Sequence, residues 1–233
     1  MNLNGKYSWG ILLTFVLLAS VMLYIFPFIN IITGTTNITA EKFFYSRIAI
    51  WLVLAITFLY SFFIEKHSFL LWKNKKYSVL FYIGAVVCLY FICAIGGALL
   101  NGVIFLITHE KISDKLIQLQ SIFKNNYFLI IFTCLTAGVV EEVLMRGYIQ
   151  PRIEKIYNSP VLGVMISAIL FGILHSTYGT IGQVVGPFFI GIVFAVFYKL
   201  YSNIKIIIIC HFLFDFVSLM VMNFIDIKHL SAF

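Results

Sequence analysis

Glu141 and Glu142 stand side by side in AGVVEEVLMRG, residues 137–147, with Arg146 four positions after Glu142. Almost everything around them is apolar. A charge at the centre of a membrane span costs about 2.5–3.5 kcal/mol, so three within six residues need relief. Residues four apart share a helix face, and Glu142 and Arg146 can form an ion pair. Glu141 is turned by about 100° and lacks that partner. A lone carboxylate in a low dielectric neutralises or finds donors. Beside a water, it is what a general base needs. Two other apolar runs hold candidate donors: His175 in FGILHS, four after Phe171, and His211 with Asp215 in CHFLFD, again four apart on one face. His67, His109 and His229 fall in or next to loops. Polar groups of this kind could simply glue helices. Ion pathways, proton relays and reaction sites are the other readings.

These side chains need helices to hold them. The chain has 233 residues, 62% hydrophobic and 11% charged, with mean hydropathy +1.03. A soluble domain is nearer half apolar and a quarter charged. The composition is that of a polytopic membrane protein, all-α, a transmembrane helix bundle in contact with the lipid bilayer. A span needs about 20 mostly apolar residues. The candidates run 9–33, 44–65, 77–107, 127–149, 160–180, 183–201 and 204–224, about seven spans within a range of six to eight. Residues 1–126 form N-terminal helices and an interfacial segment, 127–225 a motif-bearing core, and 226–233 a short tail of one bundle. Lys6 and the long apolar run from Trp9 read as an uncleaved first span.

The net charge is +7, with the lysines in short loops. Orientation and anionic headgroups account for them, and no nucleic-acid partner is expected. Counted as loop cations, Lys6, Lys66, Lys73, Lys75, Lys76, Arg146, Arg152, Lys155, Lys199 and Lys205 gather on one side and Lys42, Arg47, Lys111, Lys115, Lys124 and Lys228 on the other, ten against six, which predicts a cytoplasmic N-terminus and an external C-terminus. Cys88, Cys93, Cys134 and Cys210 lie in apolar runs without disulfide or zinc spacing. HEKISDKLIQLQSIFKNN carries Ile112, Leu116, Leu119 and Phe123 at helical spacing, which suggests a short surface helix or a solvated amphipathic loop. STYGTIGQVVGP holds Gly179, Gly182, Gly186 and Pro187, and reads as an opened helix at membrane depth or a plain interfacial loop. One conflict is visible at this level. Glu141 lies about 21 Å inward from Tyr127, and His175 about 22 Å from Pro160. In a membrane about 30 Å thick those depths disagree by about 13 Å. The helix carrying Glu141 is therefore expected to run past Arg146.

EEVLMR fits Glu-Glu-x-x-x-Arg, FGILH fits Phe-x-x-x-His, and HFLFD fits His-x-x-x-Asn with Asp in the last place. In this order, each on its own span, they resemble the three motifs of the CAAX prenyl endopeptidase and bacteriocin-processing (abortive-infection type) family of intramembrane proteases. The resemblance covers about residues 125–225. It implies that Glu141 activates a water, admitted from the cytoplasmic side, and that His175 orients it. It implies a structural pair of Glu142 and Arg146, with His211 and Asp215 polarising the scissile carbonyl or stabilising its oxyanion. An amide can donate to an oxyanion and an ionised carboxylate cannot, so Asp215 must be protonated, pair with His211 or ligate a metal. No cofactor is expected under a metal-free glutamate mechanism. A divalent metal such as zinc on Glu141, His175, His211 and Asp215 is the alternative, although no His-Glu-x-x-His helix is present. The implied partner is a peptide or protein substrate at the membrane. Usage rich in Ile, Lys, Asn and Phe suggests a bacterial cell membrane, and with it a bacteriocin, pheromone or immunity role. A non-proteolytic scaffold of the same family, partnering a cell-envelope enzyme or sensor kinase, is the competing reading. A proton-coupled transporter is a third, against which the lack of repeat symmetry counts.

Overall fold

The computed structural model of the chain describes residues 2–110 and 113–225. The tail 226–233, with Lys228 and His229, and the pair Lys111 and Ile112 lie outside the described residues. Helices form because apolar runs of sufficient length are bounded by side chains that satisfy the free backbone ends. The helices are α1 (Leu3–Thr33), α2 (Ala40–Glu65), α3 (Val79–Thr108), α4 (Asp114–Phe123), α5 (Tyr127–Tyr157), α6 (Pro160–Leu174), α7 (Gly182–Tyr201) and α8 (Ile204–Phe224). Thr39, Ser78, Ser113, Asn126, Ser159 and Asn203 each accept a hydrogen bond from the backbone N–H three positions on and so start a helix. Gly34, Asn158 and Ser202 adopt left-handed conformations and stop one. All helices except the short α4 belong to seven segments long and apolar enough to cross a membrane.

α5 is longer than its expected span of 127–149 and settles the depth conflict. It runs through Arg146 to Tyr157 and turns at Asn158-Ser159 into Pro160 at the start of α6. Measured from that shared turn, Glu141 lies about 24 Å along α5 and His175 about 22 Å along α6, at the same level. Within α5, Ala137–Glu141 and Val143–Ile149 are π-helical. Such wide turns occur frequently at functional sites.

Two expectations for the connections change. Gly182, Gly186 and Pro187 lie inside α7. The break in the chain is shorter, a 3₁₀ turn at Ser176–Tyr178 followed by Gly179 at φ 91°. The two glycines pass close to α3: a Cβ on Gly182 would come within 2.8 Å of Asn101 Oδ1. The amphipathic helix α4 does form, with its apolar face turned onto the protein. Phe123 is buried, packing edge-on against Phe43 of α2, and Leu116, Leu119 and Phe123 line a cavity inside the bundle.

The core falls in three clusters. One joins α1, α2, α5 and α6 around Val140, Leu144 and Phe171. Another joins α3, α7 and α8 around Cys93, Phe194 and Ile207. The third joins α2, α4, α5 and α8 around Phe43, Phe123 and Cys134. α5 therefore sits centrally, and the charged residues it carries are enclosed by other helices.

Candidate active site

Gly138 is the first requirement of the site. A Cβ there would lie 2.9 Å from the carbonyl oxygen of Ile208 and 3.1 Å from the nitrogen of Phe212. Only a glycine lets α8 approach α5 this closely. The approach carries His211 onto Glu142, where its Nδ1–H donates to Oε1 over 2.7 Å. The same oxygen accepts from Arg146 Nη1 at 2.9 Å. Glu142 and Arg146 have no exposure at all.

Phe171 joins the other parts. Its carbonyl oxygen accepts a hydrogen bond from His175 Nδ1–H at 2.8 Å. Its ring lies 4.3 Å from the guanidinium carbon of Arg146. Edge contacts run from the same ring to His175 at 4.7 Å and His211 at 6.0 Å. The bond from Nδ1 fixes the His175 tautomer and leaves Nε2 with a free lone pair. Phe194 of α7 covers Arg146 from a second side at 5.9 Å. Arg146 is thus held by one carboxylate and two aromatic faces.

Glu141, one residue before Glu142, turns the other way. With His175, His211 and Asp215 it lines a cavity of about 450 Å³ enclosed by α2, α3, α4, α5, α6, α7 and α8. Its Oε2 is buried and has no hydrogen-bond partner among the described residues. A smaller void of about 30 Å³ lies beside Glu141, His175 and Tyr178, large enough for a water molecule. Asp215 is 30% exposed at its side chain, and its Oδ2 lies 3.6 Å from His211 Nε2, too far for a direct hydrogen bond.

The four residues expected at a reaction centre therefore share one cavity, and the pair of Glu142 and Arg146 stands behind it. The proposed zinc set does not gather. Among the described residues no three His, Cys, Asp or Glu side chains form a group that could hold a metal ion. One nitrogen of each ring is engaged, His211 Nδ1 by Glu142 and His175 Nδ1 by a backbone carbonyl, which leaves the two Nε2 atoms facing the cavity residues.

Three features were not read from the sequence. The part played by Phe171 depends on tertiary contact with α5 and α8, although its place four before His175 hinted at it. Arg47, counted among loop cations, lies within α2, which begins at Ala40 rather than residue 44, and it lines the cavity. Arg152, also counted as a loop charge, is buried in α5 and paired with Glu65 of α2, while its guanidinium lies 3.6 Å over the Tyr148 ring.

The family model of the type II CAAX prenyl endopeptidases, Rce1-like, matches residues 123–217. No curated protein and no solved structure matches the chain. The matched segment contains all seven motif residues, Phe171 included, and runs from the end of α4 into α8. Residues 123–217 are thus similar to the Rce1-like type II CAAX prenyl endopeptidases, a family of membrane endopeptidases.

Proposed function

We propose that the chain is an intramembrane endopeptidase of glutamate type, with Glu141 as general base. One observation carries this reading: a buried carboxylate oxygen without a protein partner stands on a cavity shared with two histidines. A water between Glu141 and His175 donates one hydrogen to Glu141 Oε2 and the other to the free Nε2 of His175. As Glu141 takes the proton, the water oxygen attacks the scissile carbonyl carbon. The oxyanion accepts a hydrogen bond from His211 Nε2–H, an imidazolium balanced by Glu142 on its other nitrogen and by Asp215 nearby. Collapse breaks the carbon–nitrogen bond, and the proton held by Glu141 passes to the leaving amine. The products are a carboxylic acid and an amine.

Asp215 thus acts through His211, which makes an asparagine unnecessary there. The substrate is a peptide or small membrane-associated protein, processed in a bacterial cell membrane in a bacteriocin, pheromone or immunity role. The amino-acid usage supports the bacterial host. A non-proteolytic scaffold of the same family, partnering a cell-envelope enzyme or sensor kinase, is the competing reading.

The test compares small peptides released by native-host cells carrying wild-type protein, Glu141→Gln and His175→Ala at matched membrane levels. Mass spectrometry is expected to find a peptide whose release falls by about 10²–10⁴-fold in both variants. Identical profiles, with a deletion phenotype still rescued by Glu141→Gln, would replace the protease with the scaffold.

A further inference from the structure

Arg47 has no part in the steps above, yet it is only 9% exposed. It lies on α2, outside the segment that matches the family model. A guanidinium is always charged and offers five donors in a planar fork. Arg47 spends little of this. Nε donates to Ser46 Oγ over 3.4 Å, and the guanidinium carbon lies 4.7 Å over the Phe43 ring. It makes no ion pair with a carboxylate among the described residues. The contrast is with Arg152, fully buried, which donates to Glu65, Ser61 and the carbonyl oxygens of Phe69 and Tyr148.

A buried cation without an anion is costly unless a ligand supplies one. Arg47 stands where a ligand would arrive. It lines the large cavity with Glu141 and Asp215, and it lines the small void beside Glu141 and His175. A cavity of about 450 Å³ is in the range of sites for small molecules or short peptides. Its other walls are mostly apolar, with Phe43, Leu119, Ile190 and Phe214 among them.

The geometry points to Arg47 as a substrate-binding residue whose guanidinium takes a carboxylate of an otherwise apolar peptide held in the cavity. This rests on the protease reading for its ligand class. The carboxylate is either the peptide's own C-terminus or an Asp or Glu side chain. Both present two oxygens to the fork of the guanidinium. Held at Arg47, the peptide is fixed at one end while Glu141 addresses a bond further along it.

The test uses full-length Glu141→Gln protein in lipid nanodiscs, so that binding is read without turnover. Three pools of N-acetylated apolar tripeptides are offered at about 1 mM: free C-terminal acids, the same peptides as amides, and amides containing one Glu. Retained peptides are read by mass spectrometry. At least one carboxylate-bearing pool is expected to be retained about tenfold better than the plain amides, and which pool it is identifies the source. Adding Arg47→Gln or Arg47→Met should erase the preference without lowering the melting temperature, because no internal partner is stranded. Equal retention of acids and plain amides, or no retention of any pool, overturns the proposal. So does a preference unchanged by Arg47→Met, which would leave Arg47 only balancing Glu141 and Asp215. An unchanged peptide profile in cells, with the carboxylate preference intact, removes the protease and keeps the carboxylate site. The reverse pair of results removes the site and keeps the protease.

Discussion

A single carboxylate oxygen, Glu142 Oε1, receives both Arg146 and His211 in a place closed to solvent. Removing one member of a buried charged set strands the others and costs about 3–5 kcal/mol. Glu142→Gln is therefore expected to destabilise the protein by about that amount, read by thermal unfolding in detergent. Glu141→Gln should behave in the opposite way. Its Oε2 has no partner to lose, so activity should vanish while the melting temperature holds or rises. Equal melting temperatures for the two variants would remove the division between a reacting and a holding carboxylate. Half of that division was legible in the chain itself, because a spacing of four pairs Glu142 with Arg146. The attachment of His211 to the same oxygen was not, since no local rule couples residues 69 positions apart. Arg47 was hidden for another reason. A cation near the start of an apolar run resembles a loop charge until the helix boundary is known.

At the level of elements, α5 decides whether the site exists. Its π-helical stretches lie on either side of Glu142. Wide turns leave no mark in a pattern of hydrophobic spacing, so they could not be read in advance. The extension to Tyr157 could be, because the levels of Glu141 and His175 agree only if the helix runs on. Gly138 is where α5 admits α8. A Cβ there would sit 2.9 Å from a backbone oxygen, and backbone cannot swing aside as a side-chain tip can. Gly138→Ala should force α8 outward at a cost of about 1–3 kcal/mol and carry His211 away from Glu142, with peptide release falling sharply. Gly84→Ala on α3 is the control. Nothing lies within 4 Å of a Cβ there, and the change should stay within about 0.5 kcal/mol. A neutral Gly138→Ala would mean that the bond between His211 and Glu142 does not depend on this approach.

Over the whole molecule, most of the loop lysines and the cavity lie toward opposite ends of the bundle. Lys66, Lys73, Lys75 and Lys76 lie at or beyond the end of α2 and before α3. Lys155, Lys199 and Lys205 lie near the ends of α5 and α7 and the start of α8, and Lys6 lies near the start of α1. The cavity is lined from the other end: Phe43 and Arg47 early in α2, Asn101 late in α3, α4, Tyr178, Gly182 and Met222. Lys42 and Arg47, counted as cations of that end, are buried within α2, and Lys42 Nζ donates to Asn30 Oδ1 and the Thr35 carbonyl, both at 2.7 Å. Taking buried Lys42, Arg47, Arg146 and Arg152 out of the loop tally strengthens the contrast between the ends. Lysines in short loops mark the cytoplasmic side. On that rule the N-terminus is expected in the cytoplasm and the cavity toward the outer face. Water entry from the cytoplasm and a cytoplasmic N-terminus, both expected from the sequence, cannot hold together. Reporter fusions decide between them. Alkaline phosphatase fused after Ile225 should be active, as should green fluorescent protein fused after Lys76. The reversed pattern would turn the bundle over and open the cavity to the cytoplasm. The expected pattern restricts substrates to peptides that have reached the outer half of the membrane, so an exported precursor would be cut and a cytoplasmic one left intact.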